Sequence, residues 1–165
     1  MSHFNPLPPL EELQKLFVYD PESGLFTNET TRGKALRGQY AGSPNGRGYL
    51  RLRFKSKQYL AHRIAWLFMT GHDPGSQVVD HIDQNKLNNQ WENLRLANRL
   101  QNQVNSTRKG WTRNRSKYQS QISIGGVKRK LGNYDTPEEA ARVFQKKHIE
   151  LYGEFSPYLT QPSNG

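Results

Sequence analysis

Asp80 and His81 stand side by side directly after the apolar pair Val78-Val79, at the head of a run that holds seven asparagines by Asn105. A histidine, with an ordinary pKa of about 6.5, can take a proton at neutral pH. A neighbouring carboxylate is a hard-oxygen donor suited to a divalent cation. As an isolated pair they would more often be a turn with a satisfied histidine. What gives them weight is position. Val78-Val79 favours a strand, "DQNKLNN" is rich in turn formers, and "NLRLA" returns as an alternating strand. Asn98 and Gln101 then fit a helix N-cap and its partner three positions on. The order strand, loop, strand, short helix places Asp80 and His81 late on the first strand and Asn102 one turn into the helix. A small hairpin folded onto a helix can bring the three together.

The elements before this run are short. Leu10 to Phe17 reads as a short helix, and "FVYDPESGLFTNE" as strand, turn, strand. In "SPNGRGYLRLRFKSKQYLAHRIAW", Tyr49, Arg51 and Arg53 alternate with Leu50, Leu52 and Phe54, so a basic face opposes an apolar one. "LAHRIAWLFMTG" switches to helical spacing and stops at Gly71. His62 on that helix reads as a core residue; His3, His72 and His148 read as surface residues, and Trp66 and Trp91 as packing. Asp83, Asn85, Asn88 and Asn89 read as turn formers.

After Asn105 the composition shifts. "KYQSQISI" alternates, placing Tyr118, Ser120, Ile122 and Ile124 on one face and Gln119, Gln121 and Ser123 on the other. Gly125-Gly126 makes a hairpin turn and "VKRKLGNY" returns. Thr136-Pro137-Glu138-Glu139 is a capping box with proline at the first helical position. The helix it opens carries Ala140, Val143, Phe144 and Leu151 on one stripe and ends at Gly153.

Composition excludes several classes. With 165 residues and 33% hydrophobic content, several thin layers are more plausible than one large core. No apolar run approaches the roughly 20 residues that cross a bilayer. The start, MSHFNPLPPL, has neither a basic leader nor an apolar signal core, so nothing points to export. The absence of cysteine removes disulfides, thiolate catalysis and cysteine zinc knuckles. The net charge of +10 is uneven: eight basic and no acidic residues lie between Ser106 and Lys130, on a strand pattern rather than in a tail. A polyanion is the natural partner.

"VDHIDQNKLNNQWENLRLANRLQNQVN" resembles the motif of HNH endonucleases of the ββα-metal superfamily, most closely the homing enzymes of phages and group I introns. The pattern D-H-I-D, N-x-x-N-N, E-N-L-R and a helix with Q-N covers about thirty residues. The resemblance implies that His81 is the general base that activates water, and that Asp80 and Asn102 ligate a divalent metal. It gives Asn93 a place in the catalytic set, bracing the loop by hydrogen bonds. Many relatives carry histidine where Asn102 stands. A carboxylate and an amide oxygen suit Mg²⁺, with Mn²⁺ as a substitute.

"GWTRNRSKYQSQISIGGVKRKLGNYDTPEEAARVFQKKHIELYGEFS" is similar to the AP2/ERF DNA-binding domain, in which a three-stranded sheet lies in the major groove with a helix behind it. The contact candidates are Arg113, Arg115, Gln119, Gln121, Ser123, Lys128 and Lys130. Lys130 stands where tryptophan is common, so the family's base preference does not transfer. In the N-terminal region Arg51 and Arg53, with Arg47, Lys55 and Lys57, form a basic hairpin able to touch DNA backbone.

The expectation is an α+β protein: N-terminal β-hairpins and a ββα-metal (HNH) core, then a three-stranded antiparallel sheet packed on one helix. The expected divisions are 1–60, a basic β-rich region; 61–105, the nuclease core; 106–157, the DNA-binding domain; and 158–165, a flexible tail. The function expected is metal-dependent, site-directed cleavage of double-stranded DNA by a monomer or homodimer in the cytoplasm of a bacterial host, with a phage as the source. The rivals are a DNA-binding regulator with an inactive HNH core and a non-specific phage nuclease.

Overall fold

The computed structural model describes residues 6–159. Its described residues form several small antiparallel sheets and four helices, an α+β arrangement. The chain divides into two compact units, 1–99 and 100–165.

The first unit begins with α1 (Leu10–Gln14). This helix is shorter than the sequence suggests, because Phe17 turns inward on β1 (Phe17–Tyr19), paired with β2 (Phe26–Asn28). A three-stranded sheet follows, with β4 (Leu50–Phe54) between β3 (Ser43–Pro44) and β5 (Lys57–Leu60). Leu52 and Phe54 are buried from β4, whereas Arg53 between them is exposed. β5 runs straight into α2 (Ala61–Thr70), which stops at Gly71 in the left-handed conformation. Arg63 of α2 pairs with Asp73 at 3.0 Å and donates to the carbonyls of Gly75 and Gln77. It thereby fixes the loop that leads to the next strand. β6 (Val78–His81) pairs antiparallel with β7 (Leu94–Ala97), with a 3-10 turn at Trp91–Asn93 between them.

One apolar core runs through this unit. Leu13, Phe17, Phe26, Leu52, Ile64, Val79 and Leu94 all belong to it. The N-terminal hairpins and the segment after residue 60 therefore fold together, where the sequence suggested a division at 60/61.

The second unit takes up most of α3 (Arg99–Val104), which starts just after Asn98. Its sheet has the order β10 (Val127–Tyr134), β9 (Lys117–Ile124), β8 (Trp111–Asn114). The even positions of β9 face inward: Ser120 and Ile122 are buried. They meet α4 (Pro137–Tyr152), whose capping box is formed between Thr136 and Glu139. Ala140, Phe144 and His148 make the buried row of α4, while Leu151 is exposed. Residues four apart share a helix face, and His148 sits at the third position of that row. Its Nδ1 lies 2.8 Å from the Ser156 hydroxyl, which satisfies the polar atom that burial would otherwise strand. His148 is thus a core residue and not the surface residue expected. Tyr158, expected in a flexible tail, is buried; its hydroxyl accepts from the Arg108 amide and donates to the Arg108 carbonyl. Leu159 is exposed, and residues 160–165 of that tail lie outside the described residues, as does His3.

Candidate active site

His81 ends β6, and burial of its strand carries it inward. It is 4% exposed. The His62 ring of α2 meets it edge to face at 4.9 Å, and Tyr49 lies 6.1 Å away. Its Nε2 lies 3.2 Å from the Asn89 side-chain oxygen, an atom that can only accept. The Asn89 amide nitrogen is engaged separately with the Leu87 carbonyl. The contact therefore places the imidazole proton on Nε2 and the lone pair on Nδ1, the form a base must have. Burial pushes the His81 pKa below its ordinary value, and Lys86 adds to that. The Asn89 bond and the charges of Asp83 and Asp80 pull the other way.

Asn89 read as a turn former, yet it is 1% exposed. Its support comes from far up the chain. The Tyr19 hydroxyl donates to the Asn89 carbonyl at 2.7 Å, the Trp91 amide to the Pro21 carbonyl, and the Gln90 side chain to the Glu22 carbonyl. Gly24 lies so close that a Cβ there would stand 2.3 Å from the Gln90 nitrogen, and its φ of +72° is a glycine conformation. The turn between β1 and β2 is thus a backbone clamp on the loop that holds the histidine. Neither the asparagine's role nor the clamp has a local sequence signal.

Asn93 forms the second brace. Its side-chain oxygen accepts from the Asp83 amide, and its nitrogen donates to the Asp83 carboxylate and the Asn88 carbonyl. Its own carbonyl accepts from the Ile82 amide. Asp83 caps the loop further by accepting from Asn85 and Asn88.

Asp80 precedes His81 and points across the sheet to Arg95, its register partner. Arg95 donates to Asp80 Oδ2 from two nitrogens, at 3.1 and 3.0 Å, and both side chains are largely buried. The sequence reading missed this arginine, although its place opposite Asp80 follows from the hairpin register. Asn102 lies exposed on α3, within the second unit. The first unit thus assembles Asp80, His81 and Asn93, and adds Asn89, His62, Tyr49 and Arg95.

Among the described residues no cluster of three or more histidine, aspartate, glutamate or cysteine side chains could hold a metal. The Asp80 carboxylate is an oxygen donor of the kind a hard divalent cation takes, with water and phosphate oxygens as its other ligands. Such an ion would share Asp80 with Arg95.

Lys86 stands at the rim. Its ammonium lies 4.8 Å from the Tyr49 ring centroid and donates to the Arg47 carbonyl. His62 is deeper, with Nδ1 buried and without a hydrogen-bond partner among the described residues. Burial first, then His81 and Arg63, push its pKa down to about 3. It is a neutral ring against which the neutral His81 packs.

In the second unit, Gln119, Gln121 and Ser123 share the face opposite the helix, and the register sets Lys128 across from Ser123 and Lys130 across from Gln121. Arg113 pairs with Tyr118 and so lies on the face that carries Tyr118, not on the glutamine face. Arg115 sits in the β8–β9 turn with a φ of 55°. Arg51 and Arg53 lie on β4 in the first unit.

Residues 59–104 match the family model described as HNH endonuclease. The chain is 37% identical over 105 residues to an uncharacterized HNH endonuclease of Acanthamoeba polyphaga mimivirus, covering 61% of this chain and 56% of that protein. It is 29% identical over 107 residues to Protein 3.8 of Escherichia phage T7, covering 59% of this chain and 88% of that one. The chain thus spans little more than half the length of its mimivirus relative. No solved structure matches it. No helix among the described residues is long and apolar enough to cross a membrane. The buried histidine, its aspartate neighbour and the asparagine braces all fall inside the matched segment: residues 59–104 are an HNH endonuclease domain.

Proposed function

We propose that the protein is a metal-dependent endonuclease that cuts double-stranded DNA at chosen sites, as homing enzymes do, with a phage as its source. HNH endonucleases act on DNA and generally depend on a divalent metal. The observation that carries the reading is His81: buried at the end of β6, held in one tautomer by Asn89, and next to Asp80. In this reading His81 Nδ1 accepts the proton of the attacking water. Asn89 fixes the ring while the proton arrives, and Asn93 keeps the loop closed. Asp80 would hold the metal, Mg²⁺ in this proposal, which when bound supplies charge neutralisation at the phosphate and the departing oxygen. Burial keeps His81 unprotonated at neutral pH, so the base is ready without an activating charge.

The second unit would choose the site in the manner of AP2/ERF domains. The support is a three-stranded sheet backed by a helix, with Gln119, Gln121, Ser123, Lys128 and Lys130 on the open face. Glutamine can read adenine edges and lysines neutralise phosphates.

The test is cleavage of supercoiled plasmid in Mg²⁺ by the full chain, wild type against His81→Ala and Asp80→Asn. The expected loss for His81→Ala is about 10²- to 10⁴-fold, the usual contribution of a general base, with DNA binding retained. A second reading, a DNA-binding regulator with a silent nuclease core, draws on the Asp80–Arg95 pair, which occupies the carboxylate. Tight binding without cleavage in Mg²⁺ or Mn²⁺ would favour it.

A further inference from the structure

We infer that the first unit carries a groove for single-stranded DNA, lined by Arg32, Lys34, Tyr40, Arg51 and Arg53. The proposal rests on the reading of the chain as a DNA-acting protein. The groove has a volume of about 810 Å³, and its lining includes five basic residues and no acidic one. Its floor is the solvent face of β3–β4–β5, which carries Arg51 and Arg53. Its wall is the 29–42 loop, which is not loose. The Asn28 amide donates to the Gln39 carbonyl, the Gly38 amide to the Asn28 carbonyl and the Ala41 amide to the Phe26 carbonyl. Gly42, with φ +103°, brings the wall against the floor; a Cβ there would stand 3.0 Å from the Arg51 carbonyl.

The cations are held ready. Arg32 lies over the Phe17 ring at 4.8 Å and donates to Asn28. The Nε–H groups of Arg32 and Arg51 are buried without an acceptor among the described residues. Among those residues neither arginine has an acidic partner, nor does Arg53 or Lys34. A fixed array of unneutralised guanidiniums suits a phosphate chain. Tyr40 decides between duplex and single strand. Its ring is 74% exposed among these cations. An aromatic face beside a basic track binds an unstacked base, which a duplex keeps in its stack. A single strand fits the concavity with phosphates on the arginines and a base on Tyr40.

The test uses the full chain carrying His81→Ala, so that nothing is cut. Fluorescence anisotropy would follow binding of a labelled oligothymidylate of about 20 nucleotides and of a duplex of the same length. Tyr40→Ala should weaken the single strand about tenfold and the duplex less than about twofold, with Tyr40→Phe restoring single-strand affinity. Arg51→Gln should flatten the log–log salt dependence of single-strand binding by about 0.7. An unchanged single-strand affinity in Tyr40→Ala, or an equal loss for both substrates, overturns the proposal. Wild-type chain that fails to cut plasmid while the Tyr40 effect persists defeats the nuclease reading and leaves the groove standing. Cleavage without a Tyr40 effect does the reverse.

Discussion

The two units put a buried histidine to different uses, and they are built differently around it. In the second, His148 continues a helix row set by sequence neighbours four apart, and Ser156, eight residues on, satisfies it. In the first, His81 depends on Asn89, and Asn89 depends on Tyr19 and Gly24, some seventy residues away. A histidine fixed by local spacing serves packing. One fixed by a long-range clamp is held in orientation by residues far away in the chain. The contrast teaches that the geometry around His81 is a property of the whole first unit, N-terminal hairpins included.

The strongest way to break the comparison is Gly24→Ala. The added methyl would meet the backbone of Asn89 and Gln90, and the left-handed φ adds strain. The two effects together should cost the first unit about 3 kcal/mol, read as a shift in the denaturant midpoint, and cleavage should fall with it. Gly110→Ala is the counterpart. Its methyl would stand 2.1 Å from the Phe144 ring, so the damage should fall on the second unit. DNA affinity should drop while cleavage at saturating DNA persists. Equal loss of cleavage in both variants would show that the units do not divide the work.

Asn89→Ala asks the same question at the histidine itself. Removing the acceptor frees the imidazole to rotate and to take the other tautomer. The cleavage rate should fall about ten- to a hundredfold, or about 1.4–2.7 kcal/mol of barrier, with thermal stability of the second unit unchanged. A rate that stays at the wild-type level would remove Asn89 from the positioning set.

The difference in construction also explains what the sequence could reveal. Alternation along Lys117–Ile124, the Gly125-Gly126 turn and the capping box at Thr136 are short-range signals, and each appears where the spacing placed it. The β6–β7 hairpin around Asp80, His81 and Asn93 was legible for the same reason. Asn89 was not, because an asparagine in a polar loop looks the same whether exposed or clamped. Arg95 was legible only through the strand register, and His148 was hidden because a histidine within an amphipathic stripe reads as polar. Arg113 was assigned to a face by its charge, and its pairing with Tyr118 decides otherwise.

Acid separates the units further. The His62 pKa lies at about 3 and the His148 pKa at about 4, both held down mainly by burial, against an ordinary 6.5. His81 is shifted in the same direction. For each, the unfolded chain takes up a proton as pH falls through 6.5 and the folded chain does not. Stability is therefore full above that value and is lost as pH falls toward the folded pKa, at about 1.4 kcal/mol per pH unit for each histidine left neutral. In the first unit His81, shifted in the same direction, adds to His62, whereas the second unit has His148 alone, so the first should lose stability more steeply as pH falls. In a Trp111→Phe chain, tryptophan emission reports only Trp66 and Trp91, both in the first unit. Its denaturant midpoint should fall more steeply from pH 6.5 to 5 than that of a Trp66→Phe, Trp91→Phe chain. The reverse order would mean that another titration governs the first unit.

The smallest effect lies at Thr136, whose hydroxyl accepts from the Glu139 amide at 3.2 Å while Glu139 reaches back to the Thr136 amide. Thr136→Ala leaves one amide of the first helical turn without its acceptor, a loss of about 1 kcal/mol. The cap belongs wholly to the second unit: α4 packs on β9 and β10 and supports the sheet from behind. The cost should appear as a lower midpoint for Trp111 emission and leave the Trp66 and Trp91 transition where it was. In the function proposed above, site choice would depend on the sheet being in place and the chemistry on the first unit. Near the midpoint of the second unit, Thr136→Ala should therefore reduce discrimination between target and random DNA before it slows cleavage of either. Loss of cleavage rate at full site discrimination would reverse that order and show that α4 supports the catalytic unit.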